Sequence, residues 1–183
     1  MEHGAIEENG GNKKLALLIA VLALCLAIVE TGAKSAQTEA LVSNVETTNL
    51  WAFYQAKTIR QTGLRTAIEQ SELQRTTLDA SALDAQQKSW RETVARWESE
   101  PSTGEGRKEL MARAKVADHK RERAMSQYHL MELAAGAIQV AIVVISAAIV
   151  TGVMPLTVLG AILGLGGVLL GAAGYFAPAL LPH

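Results

Sequence analysis

The sequence predicts an all-α membrane protein, with three transmembrane helices and a long extramembrane helical hairpin between the first and the second. Two observations carry this prediction. Residues 133–183 contain no Asp, Glu, Lys or Arg, and an uncharged run of that length, rich in Ala, Val, Ile, Leu and Gly, cannot be water-exposed surface. A second unbroken apolar run covers residues 15–29, and the polar section between the two runs has a composition that favours helix.

Transmembrane helix 1 is predicted at residues 14–33, after a polar N-terminal tail at residues 1–13. A secretory signal peptide is the alternative, because it also places a short apolar run after basic residues. This tail is acidic where a signal peptide would be basic, and Glu30 and Lys34 can snorkel at the far end of the run. We therefore expect a retained anchor.

The section between the spans, residues 34–132, is predicted to form the hairpin, because both of its ends must meet the same membrane face. A single tip at the Pro- and Gly-containing break, residues 99–106, would set an outgoing helix of about 65 residues against a return of about 26, and such arms cannot close. We therefore place the tip near residues 76–81, with a capping box from Ser81 and Asp84. The break at 99–106 then interrupts the return arm.

Two rows of residues at steps of three and four are predicted to pack helix against helix. The first row is Val42, Val45, Ala52, Ala56, Ile59 and Gly63. The second row predicts one continuous helix that enters the second span, and it consists of Leu110, Ala114, Ala117, Arg121, Ala124, Tyr128, Met131, Ala135 and Ile138.

The uncharged end is predicted to form transmembrane helix 2 at residues 133–153 and transmembrane helix 3 at residues 155–177, followed by a C-terminal tail at 178–183. Gly152 and Pro155 oppose helix continuation, so the chain is expected to turn between them. Each span has about the 20 residues that cross the hydrocarbon layer.

The third predicted span carries a row of glycines in steps of four and three: Gly160, Gly164, Gly167, Gly171 and Gly174. Lipid supplies no hydrophobic drive for helices to associate, so close backbone approach at small residues supports packing. The row either packs within the monomer, against small residues of the second span such as Ala141 and Ala148, or joins subunits of an oligomer.

An aromatic cluster beside two basic residues is a candidate partner face: Trp51, Phe53, Tyr54, Lys57 and Arg60. Such a face suits a partner helix or an anionic group. The alternative is that these side chains fill the seam of the hairpin.

No catalytic, cofactor-binding or metal-binding residues are indicated, and we expect neither an enzyme nor a cofactor. The pairs His119 with Glu122 and His129 with Glu132 have the reverse order of the Glu-x-x-His motif of di-iron bundles. A formal net charge of −1 argues against nucleic acid as a partner. Cys25 is the only cysteine, so no intrachain disulfide forms.

Three segments, residues 49–61, 104–114 and 131–146, resemble a family of bacterial membrane proteins defined only as a domain of unknown function (DUF4337). The most specific part of the resemblance is the element Tyr54-Gln-Ala-Lys57. The resemblance covers nearly the whole chain. It implies a bacterial cell membrane and brings no established activity.

The function expected from these patterns is a non-enzymatic, membrane-anchored scaffold or interaction protein, whose helical faces bind copies of itself or a membrane-protein partner. The alternative is a subunit or accessory of an oligomeric membrane channel, with the glycine-bearing third span near its axis. Basic residues before the second span predict a multi-pass protein of the bacterial inner membrane with a cytoplasmic hairpin, whereas Lys13 and Lys14 favour the opposite orientation.

Overall fold

A computed structural model describes residues 2–76 and 79–176, with side chains described from residue 13 onwards. Four helices follow one another: α1 (Glu2–Leu73), α2 (Ala80–Glu98), α3 (Arg107–Thr151) and α4 (Met154–Phe176). The described part of the chain contains no β-strand. Residues 77 and 78 of the predicted tip, residue 177 and the predicted C-terminal tail at 178–183 lie outside the described residues.

Three of the four helices, α1 from Lys13 onwards, α3 and α4, are long and apolar enough to cross a membrane. The all-helical class and the three membrane-length helices expected from the sequence are therefore confirmed. Each apolar run lies inside a helix because a chain in lipid must satisfy its backbone polar groups internally. Between α3 and α4, Gly152 adopts a φ of +67°, which a glycine tolerates without steric cost.

The start of α2 differs from the capping box predicted at Ser81 and Asp84. Asp79 is the N-cap residue, and its Oδ1 accepts a hydrogen bond of 2.9 Å from the backbone N–H of Ser81. Asp84 instead accepts from Nη2 of Arg75 at 2.9 Å. A carboxylate at the N-cap reaches the second free N–H of the helix directly, so the helix begins at Ala80, two residues earlier than the capping box would require.

The described residues fall into two compact units. Unit 1 comprises the residues up to Leu41 and those from Glu122 onwards. Its core is built on one row of α3 whose members are at most 2% exposed: Met131, Ala134, Ile138, Ala141 and Ile145. Leu22 and Val29 of α1 belong to the same apolar cluster.

Unit 2 comprises Val42–Arg121. Its apolar cluster joins Leu50 of α1 to Leu110, Ala114 and Ala117 of α3. The first residues of the second predicted row are thus buried in this unit. Arg121 at its end is half-exposed and pairs with Asp118, with 2.9 Å between Nη2 and Oδ1.

The row predicted to pack on α1 is not packed within the described part of the chain. Val42, Val45 and Ile59 are 63%, 59% and 72% exposed, and the other members of that row are exposed too. A row on the nearly opposite face of the helix is buried instead: Ser43, Thr47, Leu50, Lys57 and Gln61. This row is more polar, but its side chains find hydrogen-bond acceptors inside unit 2, which removes the penalty of burying them.

Candidate interaction surfaces

The five residues of the predicted partner face do not act as one surface. Trp51 and Tyr54 pack against the apolar cluster of unit 2, with ring centroids 5.5 Å apart and planes at 83°. Lys57 is buried. Phe53 is 37% exposed and Arg60 is exposed, so these two lie at the outside of the helix.

Arg107, the first residue of α3, is the centre of a polar network that the sequence did not indicate. Its Nη1 donates to Oε1 of Gln61 at 2.5 Å and to Oε2 of Glu98 at 3.0 Å. Its Nη2 donates to the hydroxyl of Tyr54 at 2.9 Å, and the guanidinium carbon lies 5.0 Å from the centroid of the same ring. One cation therefore links all three helices of unit 2.

Gln61 is the second member of this Arg107 network and is only 2% exposed. Its Nε2 donates to the backbone oxygen of Val94 and to Oε2 of Glu98, both at 3.1 Å. With its Oε1 accepting from Arg107, the amide uses its donors and its acceptor within the protein. The network therefore holds the three helices of unit 2 in register.

Lys57 connects α1 to the loop between α2 and α3. Its ammonium donates to the backbone oxygen of Glu105 and lies 5.2 Å from the centroid of the Phe53 ring. The side chain is 7% exposed, so its charge is balanced by the carbonyl, the ring and the Glu105 carboxylate 4.0 Å away. Lys57 thus fixes a loop and is not displayed to a partner.

The loop itself is ordered by Glu109. Its Oε1 accepts from the hydroxyl of Ser99 at 2.6 Å, and its Oε2 accepts from the backbone N–H of Glu100 at 3.2 Å. The hydrogen bond from Ser99 is the main cause that lowers the pKa of Glu109 below its ordinary value of 4.5, and desolvation opposes it. Gly104 has a φ of +68°, which lets the loop reverse before α3.

One signal in the sequence could have indicated this network. Leu50, Tyr54, Lys57 and Gln61 follow steps of four, three and four, so they share one face of α1. The two apolar or aromatic members of this row make it a second candidate for the buried face, but the row does not identify the partners of Lys57 and Gln61. Their partners Glu98 and Arg107 carry no such signal, because they come from helix ends that only the tertiary structure brings together.

The row exposed on α1 is an unpartnered, largely apolar feature in the described part of unit 2. We call it the α1 stripe: Val42, Val45, Asn49, Ala52, Ala56, Ile59 and Gly63. All seven residues are exposed. A Cβ built on Gly63 would meet nothing within 4 Å. The steps alternate between three and four residues over three heptads, which is the spacing of a coiled-coil seam.

The five glycines of the third span are the buried residues of α4. A Cβ built on Gly160 would lie 2.5 Å from Cγ1 of Ile145, and one on Gly171 would lie 2.7 Å from Cγ2 of Val29. A Cβ built on Gly164 would lie 3.0 Å from Cδ1 of Leu22, and one built on Gly174 would lie 3.2 Å from Cβ of Leu130. The structure therefore places this row against α1 and α3 of the same chain.

Histidine and acidic residues do not assemble into a metal site within the described residues, where no group of three or more His, Cys, Asp or Glu side chains could hold an ion. The predicted pair His129 and Glu132 has its Nδ1 and Oε2 atoms 3.9 Å apart on one turn of α3. His119 and Glu122 also lie one turn apart, on the part of α3 where the two units meet in the chain.

These features define a helical protein with three membrane-length helices and a second, largely polar helical unit. The chain belongs to the family described as a domain of unknown function (DUF4337), whose family model matches residues 11–177. This confirms the resemblance found in the sequence. No curated protein and no solved structure shows significant similarity to the chain.

Proposed function

We propose that this protein is a non-enzymatic, membrane-anchored interaction protein that self-associates through its α1 stripe. In this proposal three spans hold it as a multi-pass protein of the bacterial inner membrane, and unit 2 is an extramembrane helical hairpin. The membrane-length helices support the anchoring. The glycine row and the buried face of α1 both contact the chain itself, whereas the α1 stripe is exposed, and we assign the partner contact to it.

The observation that supports self-association is that three large β-branched side chains are exposed along one face of α1. Val42, Val45 and Ile59 together form an apolar seam that a monomer would leave in water. Asn49 stands at one core position of this seam. A single core asparagine favours a two-stranded pairing in defined register, because two asparagines can hydrogen-bond across the seam.

Membrane anchoring determines how two copies would pair. Helix α1 is continuous from Lys13 to Leu73, so copies inserted into one membrane present this helix in the same direction. Parallel pairing about a two-fold axis brings residues of the same number together. In a complex with a partner of a different sequence, residues of the same number would not meet in this way.

Cysteine cross-linking in native membranes tests the proposal. The variants Val45→Cys and Val116→Cys, made with Cys25→Ser, form a matched pair because both valines are 59% exposed in unit 2. We expect oxidation to link Val45→Cys into a dimer and to leave Val116→Cys monomeric. Adding Ile59→Glu to Val45→Cys should abolish the link. Equal linking at both positions would reflect random collision and overturn the proposal.

The alternative, a channel subunit or accessory, places the glycine row of α4 near the axis of an oligomer. The contacts of those glycines with Ile145, Ile138 and Val29 do not favour it, because the row is already covered. Single-channel recording of the purified protein in planar bilayers separates the two functions. Unitary currents that vanish on heat denaturation would support the channel and contradict the proposed function.

The proposed orientation places unit 2 in the cytoplasm. Four basic residues precede the second span, Lys115, Lys120, Arg121 and Arg123, and the other end of that span has none. A reporter inserted at Ser102, which is exposed in the α2–α3 loop, tests the orientation. We expect activity from a cytoplasmic reporter, and activity only from a periplasmic one would reverse the assignment.

A further inference from the structure

Unit 1 contains an open groove between residues 30–37 of α1 and residues 128–139 of α3. We call it the boundary groove. Its volume is about 470 Å³, in the range of small-molecule sites. The groove is lined in part by the small residues Ala33, Ala135 and Gly136. A Cβ built on Gly136 would meet nothing within 4 Å, so the groove is open above this glycine.

The position of the boundary groove follows from the distribution of charge along its two helices. On α1 it begins at Glu30, the first charged residue after the apolar run at 15–29. On α3 it includes Glu132, the last charged residue before the uncharged run. In a bilayer both residues come to the edge of the hydrocarbon layer, so the groove opens at the level of the lipid headgroups.

The charged side chains of the boundary groove retain hydrogen-bonding capacity. Glu30 accepts one hydrogen bond, at 3.0 Å from Nε2 of Gln139. Glu132 accepts one at 3.1 Å from the hydroxyl of Tyr128, and its Oε2 lies 3.9 Å from Nδ1 of His129. Each carboxylate has about four acceptor positions. Lys34 forms no ion pair among the described residues, and it lies in the same groove.

We propose that the boundary groove binds the headgroup of a phospholipid that carries a primary ammonium group, as phosphatidylethanolamine does. The carboxylate of Glu132 accepts hydrogen bonds from the ammonium, Lys34 binds the phosphate, and Glu30 adds a second acceptor to the lining of the groove. A metal ion is a poor alternative, because the described residues offer no set of three metal-binding side chains here. A quaternary ammonium has no N–H to donate, so choline headgroups would not satisfy these carboxylates.

Native mass spectrometry of the full-length protein in mild detergent tests this proposal. The protein is offered equal amounts of phosphatidylethanolamine, phosphatidylcholine and phosphatidylglycerol with the same acyl chains. We expect phosphatidylethanolamine to be retained about tenfold over phosphatidylcholine, the effect of one hydrogen bond to a charged group. Equal retention of these two lipids, or preferred retention of phosphatidylglycerol, would overturn the proposal.

Two variants assign the lipid to this groove. Glu132→Gln should bring the retention ratio of the two lipids close to one, whereas Glu39→Gln, at an exposed carboxylate on α1 outside the groove, should leave it unchanged. Gly136→Leu should fill the groove and reduce retention of phosphatidylethanolamine without lowering the melting temperature, because a Cβ there meets no protein atom. An unchanged ratio in Glu132→Gln would show that the lipid binds elsewhere.

Discussion

A Cβ built on Gly167 would lie 2.7 Å from Cγ1 of Ile138, whose side chain is fully buried in unit 1. It would also lie 3.1 Å from the backbone oxygen of Ala134. Any residue other than glycine at this position would therefore force α3 and α4 apart. The next residue along the chain towards the N-terminus, Gly166, has nothing within 4 Å of its built Cβ and provides a matched comparison on the same turn.

Replacing Gly167 by Leu should destabilise unit 1, because a bulky side chain would be inserted where two backbones approach closely. The expected cost is about 1–3 kcal/mol, the usual range for overpacking, and it exceeds the gain of about 1 kcal/mol in helix propensity. Gly166→Leu should be neutral or slightly stabilising. Thermal unfolding in detergent measures both. If the Gly167 variant changed only its oligomeric state and kept its melting temperature, the row would join subunits instead.

Replacing Gln61 by Leu should destabilise unit 2. The variant removes the donor to Val94 and Glu98 and the acceptor of Arg107, leaving buried polar groups with fewer partners. The expected loss is about 1–3 kcal/mol. The exposed Gln55 on the same helix supplies the control, Gln55→Leu, which should change stability little. All three tryptophans lie in unit 2, so their fluorescence during urea unfolding reports this unit. Equal midpoints for both variants would contradict the prediction.

Replacing Gly106 by Ala should disrupt the loop between α2 and α3. A Cβ there would collide with Oε2 of Glu109 and with the backbone nitrogen of Glu100, and it would lie 2.7 Å from Cα of Ser99. Because two of these atoms belong to the backbone, the loop must move and the hydrogen bonds of Glu109 must break. Gly63→Ala, where the new methyl group meets nothing, should instead stabilise α1 by about 1 kcal/mol. We therefore expect Gly106→Ala to lower the melting temperature and Gly63→Ala to raise it. Shifts in the same direction would contradict the prediction.

Acid should destabilise unit 2 through Glu109 and Asp79. Hydrogen bonds from Ser99 and Ser81, respectively, are the main causes that lower the pKa values of these carboxyl groups below their ordinary values of 4.5 and 3.8. A lowered pKa means that the folded unit binds its proton less readily than the unfolded chain. The contribution to stability is therefore complete above the ordinary values and is lost as the pH falls through them towards the lowered ones.

The measurement is the urea midpoint of tryptophan fluorescence between pH 7 and pH 3. The wild-type midpoint should be constant near neutral pH and fall below about pH 5. Glu109→Gln should lower the midpoint at pH 7 and make its acid dependence shallower. The control Glu92→Gln, at an exposed carboxylate of α2, should retain the wild-type slope. A Glu109 variant as acid-sensitive as the wild type would contradict the assignment.

The apolar runs determine the membrane-length helices without any tertiary contact. Residues 133–176 have no charged side chain, and helix is the structure that satisfies the backbone of such a run in lipid. The positions where the helices end are also determined by residues close to those ends. Gly152 supplies the positive φ that stops α3, and the Pro- and Gly-containing loop at 99–106 separates α2 from α3. These features depend on residues close together in the chain, so the sequence alone indicates them.

Only the tertiary structure decided which face of α1 is buried. Val45 and Leu50 lie on nearly opposite faces of α1, in rows of similar spacing, and apolar content favours the row of Val45. The structure buries the other row, because Lys57 and Gln61 meet Glu105, Val94, Glu98 and Arg107 there. Those partners are more than 30 residues away in the chain. A buried polar side chain is stable only with its partners in place, so its burial cannot be derived from the periodicity of one helix.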